Sequence, residues 1–372
     1  CAAPFAEPVT ARLDDVDAAL DLAAHCDVLT IETEHVPAAV LAQIETVREV
    51  HPNSALLATV QDRLRQRQFL ARHGLPQTAW APVDDLLAFN MVFGRTVPDI
   101  SLNAIANLGY AAGRFGHPIY PGDTLTADST VIGLKENSDG KTGIVYVRSC
   151  GVNQRGQIAL DYCRWVMVRK RNPQSPAPAA SVPDLPSAVA AADLIVPTGI
   201  RIEQYDCALA GSSELWDDYR VGERIDHVDG MTIEESEHMM ATRLYQNTAR
   251  VHFNQQAEQA GRFGRRIIYG GYIISLARAL SFNGLANAFS LAAINGGRHV
   301  SPAFAGDTVY AWSEVIAQLI IPGRHDLGAL RLRTVATKDH PCVDFSYKSP
   351  DGRYDASVLL DFDYTVLIPR RA

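Results

Sequence analysis

The chain contains an internal repeat, and this repeat limits its architecture more than any other feature of the sequence. Five residues of one segment recur in a second segment at a constant offset of 184 positions, the separation of 114 and 298: Arg114, Pro118, Gly122, Asp123 and Thr124 match Arg298, Pro302, Gly306, Asp307 and Thr308. Periods of 20–50 residues, which mark solenoids, are absent. The sequence therefore predicts one type of domain used twice, as a pseudo-dimer of two similar halves.

Each copy of the repeat predicts a helix followed by a long antiparallel sheet. Small and apolar residues recur at helical spacing in the second copy, at Ala277, Leu280, Gly284, Ala288 and Leu291. The glycine and aspartate of Pro-x-x-x-Gly-Asp-Thr predict a turn, with Asp123 and Asp307 as its caps. Residues rich in β-branched and aromatic types predict strands at 143–147, 158–169, 330–337, 343–348 and 356–368. One helix held by one sheet, twice over, predicts a double hot-dog fold of the α+β class.

Composition excludes several classes of partner. The 372 residues are 47% apolar and 20% charged, which is enough to bury the cores of two or three domains. A net charge of −8 argues against nucleic acid as a partner. No apolar run reaches the roughly 18–20 residues of a membrane helix, so no membrane partner is expected. The six cysteines are scattered without a Cys-x-x-Cys pair, as is typical of a cytoplasmic protein without disulfides or zinc.

The first eighty residues differ from the rest and read as an α/β segment. Helices are predicted at 16–24, 38–46 and 63–72, with a buried strand at 27–31. The runs Asp-Val-Leu-Thr-Ile-Glu-Thr-Glu-His-Val-Pro at 27–37 and His-Pro-Asn-Ser at 51–54 resemble N5-carboxyaminoimidazole ribonucleotide synthetase, an ATP-grasp enzyme. The resemblance ends near Val83, before any nucleotide-binding strand. Glu32 and Glu34 are the nearest candidates for ATP chemistry, and charge alternation at a strand end explains them equally well.

A second resemblance begins at Val83 and extends to the C-terminus. The runs Val-Asp-Asp-Leu-Leu-Ala-Phe-Asn-Met-Val-Phe-Gly-Arg at 83–95 and Tyr-Cys-Arg-Trp-Val-Met-Val-Arg-Lys-Arg at 162–171 are similar to the mesaconyl-CoA hydratases, which are MaoC-like double hot-dog enzymes. The predicted order is an α/β segment at 1–82, a first half at 83–171 without its N-terminal strand, a Pro/Ala-rich linker at 172–200, and a second half at 201–372. Exposed sheet edges favour a homodimer.

The predicted catalytic motif lies in the second half. Thr-Ile-Glu-Glu at 232–235 predicts a capping box that opens a helix leading into residues 243–253. R-specific hydratases with a hot-dog fold carry Asp-x-Asn-Pro-x-His here, and their Asp and His share one water. By this resemblance His252 is the histidine, Asn247 replaces the aspartate and Arg250 replaces the proline. A single histidine is more often a packing residue, but the motif favours catalysis.

Hydration of a 2-enoyl thioester requires a base for the attacking water, an acid for C2, and donors for the thioester oxygen. His252 titrates near neutrality and is the predicted acid and base, while Asn247 would position water. Tyr269-Gly270-Gly271 opens the central helix, where backbone N–H groups favour negative charge. Gly271 is the preferred oxyanion donor, with Tyr269 and Gly270 beside the substrate.

A mesaconyl group has a free carboxylate, which an arginine should bind. Arg250 is the first candidate; Arg114 is another, although its place in the repeat favours a structural role for it and for Arg298. Asn103, Asn107 and Tyr110, predicted on the first half's helix, are candidates for the acyl pocket, and a polar helix face is the alternative. No metal constellation is visible, and the reaction needs no cofactor beyond the CoA of its substrate.

The predicted function is the reversible hydration of mesaconyl-CoA to β-methylmalyl-CoA. Two alternatives stay open on the sequence. One is another enoyl-CoA hydratase or a thioesterase with the same fold. The other is a folded but inactive fusion protein, because the change of resemblance near Val83 is abrupt.

Overall fold

The computed structural model describes residues 8–33, 35–61, 66, 69–70, 72–73, 85–102, 104–343 and 346–371. The chain divides into two compact units, Cys1–Ala81 and Pro82–Ala372.

The first unit is a small α/β arrangement. Its elements are α1 (Val16–Ala24), β1 (Val28–Thr30), α2 (Ala38–Ile44), β2 (Glu49–His51) and α3 (Ser54–Gln61). Strands β1 and β2 are parallel, and α1 starts where the Asp15 carboxylate accepts the N–H of Ala18 at 3.1 Å. The predicted helices at 16–24 and 38–46 are confirmed. The predicted burial of strand 27–31 is wrong, because Val28 and Thr30 are exposed. Most of the predicted helix at 63–72, like Glu34, lies outside the described residues.

The first half of the second unit contains one central helix and four long strands. Helix α4 (Asp85–Thr96) continues into one π-helical turn (Val97–Ser101). The strands are β3 (Ala104–Phe115), β4 (Leu125–Glu136), β5 (Thr142–Asn153) and β6 (Ile158–Arg169). After β6, an irregular connection with short 3₁₀ turns at Ala191–Asp193, Ile202–Gln204 and Trp216–Asp218 leads to the second half.

The second half repeats this plan and adds short elements before the central helix. These are α5 (Cys207–Ala210), β7 (Arg224–Asp226), β8 (Met231–Thr232), α6 (Glu235–Leu244), α7 (Arg250–Phe253) and α8 (Gln255–Glu258). The central helix α9 (Gly270–Leu280) and the short α10 (Phe282–Leu285) follow. The remaining strands are β9 (Ser290–His299), β10 (Thr308–Ile320), β11 (Leu327–Lys338) and β12 (Val358–Pro369).

Within the described residues the two halves share one antiparallel sheet of ten strands. Its order is β4-β5-β6-β3-β9-β12-β11-β10-β7, and β8 also pairs with β10. The halves join where β3 pairs with β9, for example at Tyr110 opposite Gly297. Side chains of both central helices, including Phe89 and Ile274, belong to one buried cluster with the sheet. The largest buried cluster of the predicted double hot-dog architecture thus extends through both halves.

The offset of 184 carries α4, β3, β4 and β5 onto α9, β9, β10 and β11 to within about two residues. The turn at the centre of the repeat is equally alike in both copies. Asp123 accepts the N–H of Tyr120 at 2.9 Å, and Asp307 accepts that of Phe304 at 2.9 Å. The preceding glycines have φ of 96° and 94°. The prediction that both aspartates cap turns is confirmed.

Several predicted element positions are wrong. The helical pattern through Ala288 and Leu291 breaks because α9 ends at Leu280 and Gly284 has a φ of 97°, so that Leu291 belongs to β9. Residues 343–348 do not form a strand where they are described, and Lys348 makes only an isolated bridge to Tyr354. Asn107 is on a strand rather than a helix.

The same correction applies to Tyr110, which also lies on β3, whereas Asn103 lies outside the described residues. The physical reason is that β3 is irregular against β6, with register shifts between Ala104 and Ala106 and between Asn107 and Gly109. Bulges of this kind break the alternation of period two by which a strand is recognised.

The predicted capping box at 232–235 is also wrong. Thr232 belongs to β8, and its hydroxyl bonds the Thr308 hydroxyl at 2.9 Å instead of capping a helix. Helix α6 starts with Glu234 as its N-cap, without a side-chain cap.

The edges of the sheet differ between the halves. Strand β7 pairs with β10, while the outer edge of β4 has, among the described residues, one bridge from Leu134 to Ser181.

Candidate active site

A cavity of about 320 Å³ lies between the two halves of the second unit. Residues from the π-helical turn, β3 and β6 line one side, and residues from the α6–α9 connection and the end of β9 line the other. The polar lining residues include Ser101, Asn107, Tyr110, Arg164, Asn247, His252, Tyr269 and His299. Most of the remaining wall is apolar, as in sites that bind small organic molecules.

The segment between α6 and α7 places two of the predicted residues in this cavity. After Tyr245, Gln246 adopts a φ of 55°, which turns the chain sharply. The buried Asn247 then donates its backbone N–H to Thr242 at 2.9 Å and accepts the N–H of Ala249 at its side-chain Oδ1, at 3.2 Å. This turn ends α6, starts α7, and brings Asn247 and His252 to the cavity wall.

This turn is anchored on the central helix of the first half. A Cβ atom on Gly94 of α4 would overlap the carbonyl oxygen of Tyr245, so only glycine permits so close an approach. Next to it, Arg95 Nη1 donates to Gln246 Oε1 at 2.7 Å. Both halves therefore position the segment that carries Asn247.

His252 has a defined tautomer in the neutral state. Its Nδ1 lies 3.0 Å from the carbonyl oxygen of Ile267, so Nδ1 carries the proton and Nε2 is left as the acceptor. Burial lowers the pKa of His252 to about 4, against the opposing effect of the hydrogen bond to Ile267. The imidazole is neutral near pH 7, which is the form that accepts a proton from water.

Two further histidines, which the sequence analysis did not select, surround the same helix start. His238 of α6 accepts the N–H of Tyr269 at Nε2, at 3.1 Å, and its ring centroid is 6.4 Å from that of His252. His299 lines the cavity and lies 3.2 Å from the Tyr110 hydroxyl through Nε2. Burial, together with repulsion from His252, lowers the pKa of both histidines to about 4.

The repeat held a signal for one of these histidines. The offset of 184 places His299 on Phe115, so an apolar residue of the first copy is a titratable residue in the second. A departure of this kind inside a repeat indicates a special role. For His238 the sequence holds no comparable signal, because only the fold brings α6 against Tyr269.

The start of α9 is closely packed and offers free donors. Added Cβ atoms would overlap the His299 ring at Gly270 and the Asn90 amide at Gly271. Among the described residues, neither glycine N–H donates to a backbone carbonyl. Gly270 lines the cavity, whereas Gly271 is buried against Asn90 and outside the lining. Tyr269 donates its hydroxyl to Asn90 Oδ1 at 3.1 Å.

The arginines are placed differently from one another. Arg250 is exposed and does not line the cavity. Arg114 bonds Asp161 at 3.4 Å and also lies outside the cavity, while Arg298 stacks over the Tyr354 ring at 5.6 Å. Two further arginines line the cavity: Arg164 is buried on β6, whereas Arg262 is exposed and lies 5.1 Å from the centroid of Phe263. Both were missed because nothing in the sequence distinguishes them from other charged residues.

Comparison with known proteins shows the family to which the second unit is related. The sequence model described as Mesaconyl-CoA hydratase matches residues 72–348. The chain belongs to this family. A β-methylmalyl-CoA dehydratase of Chloroflexus aurantiacus is 69% identical over 291 residues, which cover 78% of this chain and 83% of that relative. A mesaconyl-CoA hydratase of Cereibacter sphaeroides is 59% identical over 305 residues, which cover 82% and 86% respectively.

Solved structures confirm the double hot-dog fold. A MaoC domain protein dehydratase from Chloroflexus aurantiacus superposes with a TM-score of 0.77 at 68% identity, covering 78% of this chain and 83% of that one. A double hot-dog protein from Mycobacterium tuberculosis superposes with a TM-score of 0.60 at 22% identity, covering 80% and 84%. At this low identity the second similarity concerns the fold alone.

The first unit is similar to a different family of proteins, as its sequence indicates. The sequence model described as Ribonucleotide synthetase preATP-grasp domain matches residues 1–61. An N5-carboxyaminoimidazole ribonucleotide synthase of Brucella melitensis is 38% identical over 77 residues, which cover 21% of this chain and 21% of that relative. The match is confined to a fifth of the relative and is therefore a likeness of this unit only.

The described residues contain neither a metal-binding cluster nor a membrane-spanning helix. No group of three or more histidine, cysteine or acidic side chains there could hold a metal ion. None of the helices in the described part of the chain is both long and apolar enough to cross a membrane.

Proposed function

We propose that the chain catalyses the reversible hydration of mesaconyl-CoA to β-methylmalyl-CoA. The observation that supports this most directly is the cavity that brings Asn247, His252 and the start of α9 together in a member of the mesaconyl-CoA hydratase family. The names of the two relatives describe this conversion in opposite directions. The chain is accordingly a lyase of the hydratase type.

Substrate binding would use the start of α9. The thioester oxygen accepts the N–H group of Gly270, which lines the cavity and has no backbone acceptor among the described residues. Negative charge develops on this oxygen as water adds to C3, and the N-terminus of an 11-residue helix stabilises that charge. Glycine at both positions is required because neither has space for a Cβ atom.

His252 would transfer the protons. Its Nε2 takes a proton from water while the hydroxyl oxygen bonds to C3, and the C2=C3 electron pair moves towards the thioester oxygen as an enolate. The enolate then takes a proton at C2 from the imidazolium, which restores neutral His252 and completes the addition of one water. Asn247 would hold the water through its amide, whose Oδ1 has a second lone pair beside the bond to Ala249.

The test measures the loss of enoyl-thioester absorbance with mesaconyl-CoA, in parallel with crotonyl-CoA. We expect the purified chain to consume mesaconyl-CoA, and His252→Ala to lower kcat by about 100-fold or more, the usual contribution of a general acid–base group. His325→Ala, at an exposed histidine, is the matched control. An equal loss in both variants would contradict the role of His252.

The alternatives give different outcomes in the same assay. A rate with crotonyl-CoA above that with mesaconyl-CoA would indicate a different enoyl-CoA hydratase. A folded, oligomeric sample with no turnover of either thioester would indicate an inactive fusion protein. Release of free CoA instead of hydration would indicate a thioesterase.

We also propose that the enzyme needs no cofactor beyond the CoA of its substrate, acts in the cytoplasm and forms a homodimer. The lack of a required cofactor follows from the reaction, because the thioester itself activates C3. The five cysteines in the described part of the chain are free thiols, which suits a reducing compartment. Incubation with a chelator should leave the rate unchanged, and light scattering measures the oligomeric state.

A further inference from the structure

We propose that Arg164 binds the free carboxylate of the acyl group and makes the site selective for dicarboxylic acyl-CoA thioesters. This inference rests on the proposed function. Arg164 lies in the middle of β6, between Tyr110 on β3 and Val147 on β5. A charged residue at the centre of a sheet is unusual, because burying a guanidinium costs free energy unless a partner compensates for the lost water.

The guanidinium of Arg164 is buried but has no anionic partner. Arg164 is 1% exposed. Its Nη1 donates to Ser101 Oγ at 2.9 Å, its Nη2 donates to Thr96 Oγ1 at 3.0 Å, and its Cζ is 4.5 Å from the centroid of Phe93. The buried Nε has no acceptor. Within the described residues no carboxylate oxygen lies within 4.0 Å of this side chain.

Other arginines of the same sheet show how this chain pairs a structural guanidinium. Arg331 lies 2.6 Å from Asp363, Arg333 lies 3.3 Å from Asp361, and Arg148 is paired with Asp161. Arg164 is more buried than these three, and its side-chain partners among the described residues are two neutral hydroxyl groups and an aromatic ring. Free N–H groups on a buried cation favour an anion that is supplied by a ligand.

The position of Arg164 matches the chemistry of the substrate. Arg164 lines the same cavity as Asn247 and His252. Tyr110, opposite Arg164 in the sheet, separates it from His299, whose Nε2 is 3.2 Å from the Tyr110 hydroxyl. In mesaconyl-CoA the free carboxylate is bonded to C3, the carbon that receives the hydroxyl group. A cation that binds this carboxylate must therefore lie in the cavity that holds the attacking water.

Asn107 supplies a second polar group on this wall. Its side-chain Nδ2 and Oδ1 are both buried and have no hydrogen-bond partner in the described part of the structure, and the residue lines the cavity. The Asn107 amide on β3 and the Arg164 Nε on β6 are thus buried without a partner on adjacent strands, which indicates a place for a polar part of the substrate. The amide Nδ2 can donate to the carboxylate oxygen that the guanidinium leaves free.

The test compares two thioesters that differ in this carboxylate. Arg164→Met removes the charge at similar length, and Arg353→Met, at an exposed arginine, is the matched control. We expect kcat/KM for mesaconyl-CoA to fall about 100-fold or more in Arg164→Met, as for removal of one partner of a buried charge pair, while that for crotonyl-CoA changes less than about 5-fold. Equal losses with both thioesters, or no loss with either, would overturn the proposal.

Arg164→Lys keeps the positive charge but lacks the planar guanidinium that can bind both carboxylate oxygens. This variant tests the proposal if Arg164→Met does not fold. Its expected loss is about 10-fold with mesaconyl-CoA and little with crotonyl-CoA. Equal losses in the lysine variant would count against the proposal in the same way.

A binding measurement separates this inference from the proposed function. In a His252→Ala background, mesaconyl-CoA should raise the Tm, and adding Arg164→Met should abolish that rise while the rise with crotonyl-CoA persists. Arg250→Met and Arg262→Met in this background test the arginine that the sequence predicts and the other arginine that lines the cavity. Loss of the mesaconyl-CoA effect through Arg250 or Arg262 rather than Arg164 would overturn the proposal even if the wild-type chain hydrates neither thioester.

Discussion

Gly94→Ala should disturb the catalytic segment, although a helix normally gains from this substitution. Alanine in a helix interior is favoured over glycine by about 1 kcal/mol. Gly94, however, is buried within α4, where the added Cβ would overlap the carbonyl oxygen of Tyr245 and approach its carbonyl carbon to 2.8 Å. Tyr245 is the C-cap of α6 and precedes Asn247 by two residues.

The size of the effect follows from the kind of atom that is displaced. Overpacking of a core costs about 1–3 kcal/mol, and a backbone carbonyl cannot move aside as the end of a flexible side chain can. Against the helical gain of about 1 kcal/mol, we expect the free energy of unfolding to fall by about 1–2 kcal/mol. A shift of about 1 Å at Asn247 would also lower kcat by about 100-fold.

Urea denaturation and the absorbance assay measure these two effects on the same preparation. Gly296→Ala is the matched control, because its Cβ would make ordinary contacts of 3.9 Å with Asp363 and 4.0 Å with Tyr110. A Gly94→Ala variant as stable and as active as the wild type would refute the reasoning, since it would show that α6 and α4 are not in contact there.

The other two predictions concern acid stability and the start of α9. Burial lowers the pKa of four histidines to about 4, below the value of 6.5 for the unfolded chain: His227, His238, His252 and His299. Between these two pKa values the unfolded chain binds more protons than the folded chain. The contribution of these histidines to the free energy of unfolding is therefore complete above about pH 6.5 and falls towards pH 4, by up to about 1.4 kcal/mol per pH unit for each histidine. Urea denaturation that gives equal stability at pH 7 and pH 5 would contradict this prediction. Gly270→Ala should lower kcat/KM at least about 10-fold for both thioesters, because its Cβ would overlap the His299 ring, and unchanged kinetics would show that the helix start does not hold the thioester.

Much of the second unit could be predicted from the sequence because the repeat is encoded locally. The turns at Asp123 and Asp307 depend on residues three positions apart, and their hydrogen bonds are as expected. The end of α9 was missed because small residues continue at helical spacing past Leu280, whereas the backbone leaves the helical conformation at Asn283 and Gly284. The polar residues of β3 were misplaced because bulges hide the strand.

The candidate site was predictable in part, and Asn107, Tyr110, Tyr269 and Gly270 of the predicted residues line the cavity. Asn247 and His252 share one short motif, and both line the cavity. Arg164 and His238 have no local signal, because their partners come from distant segments: Arg164 contacts Thr96 across 68 positions, and His238 contacts Tyr269 across 31. The sequence gives the type of each residue, but only the fold shows which groups its side chain contacts.

The continuous sheet has a consequence for how this enzyme can change. The wall with Arg164, Asn107 and Tyr110 comes from one half, while His252, Asn247 and Gly270 come from the other. On the roles that we propose, substitutions in β3 and β6 alter which acyl group is accepted and leave the segment with Asn247 and His252 in place.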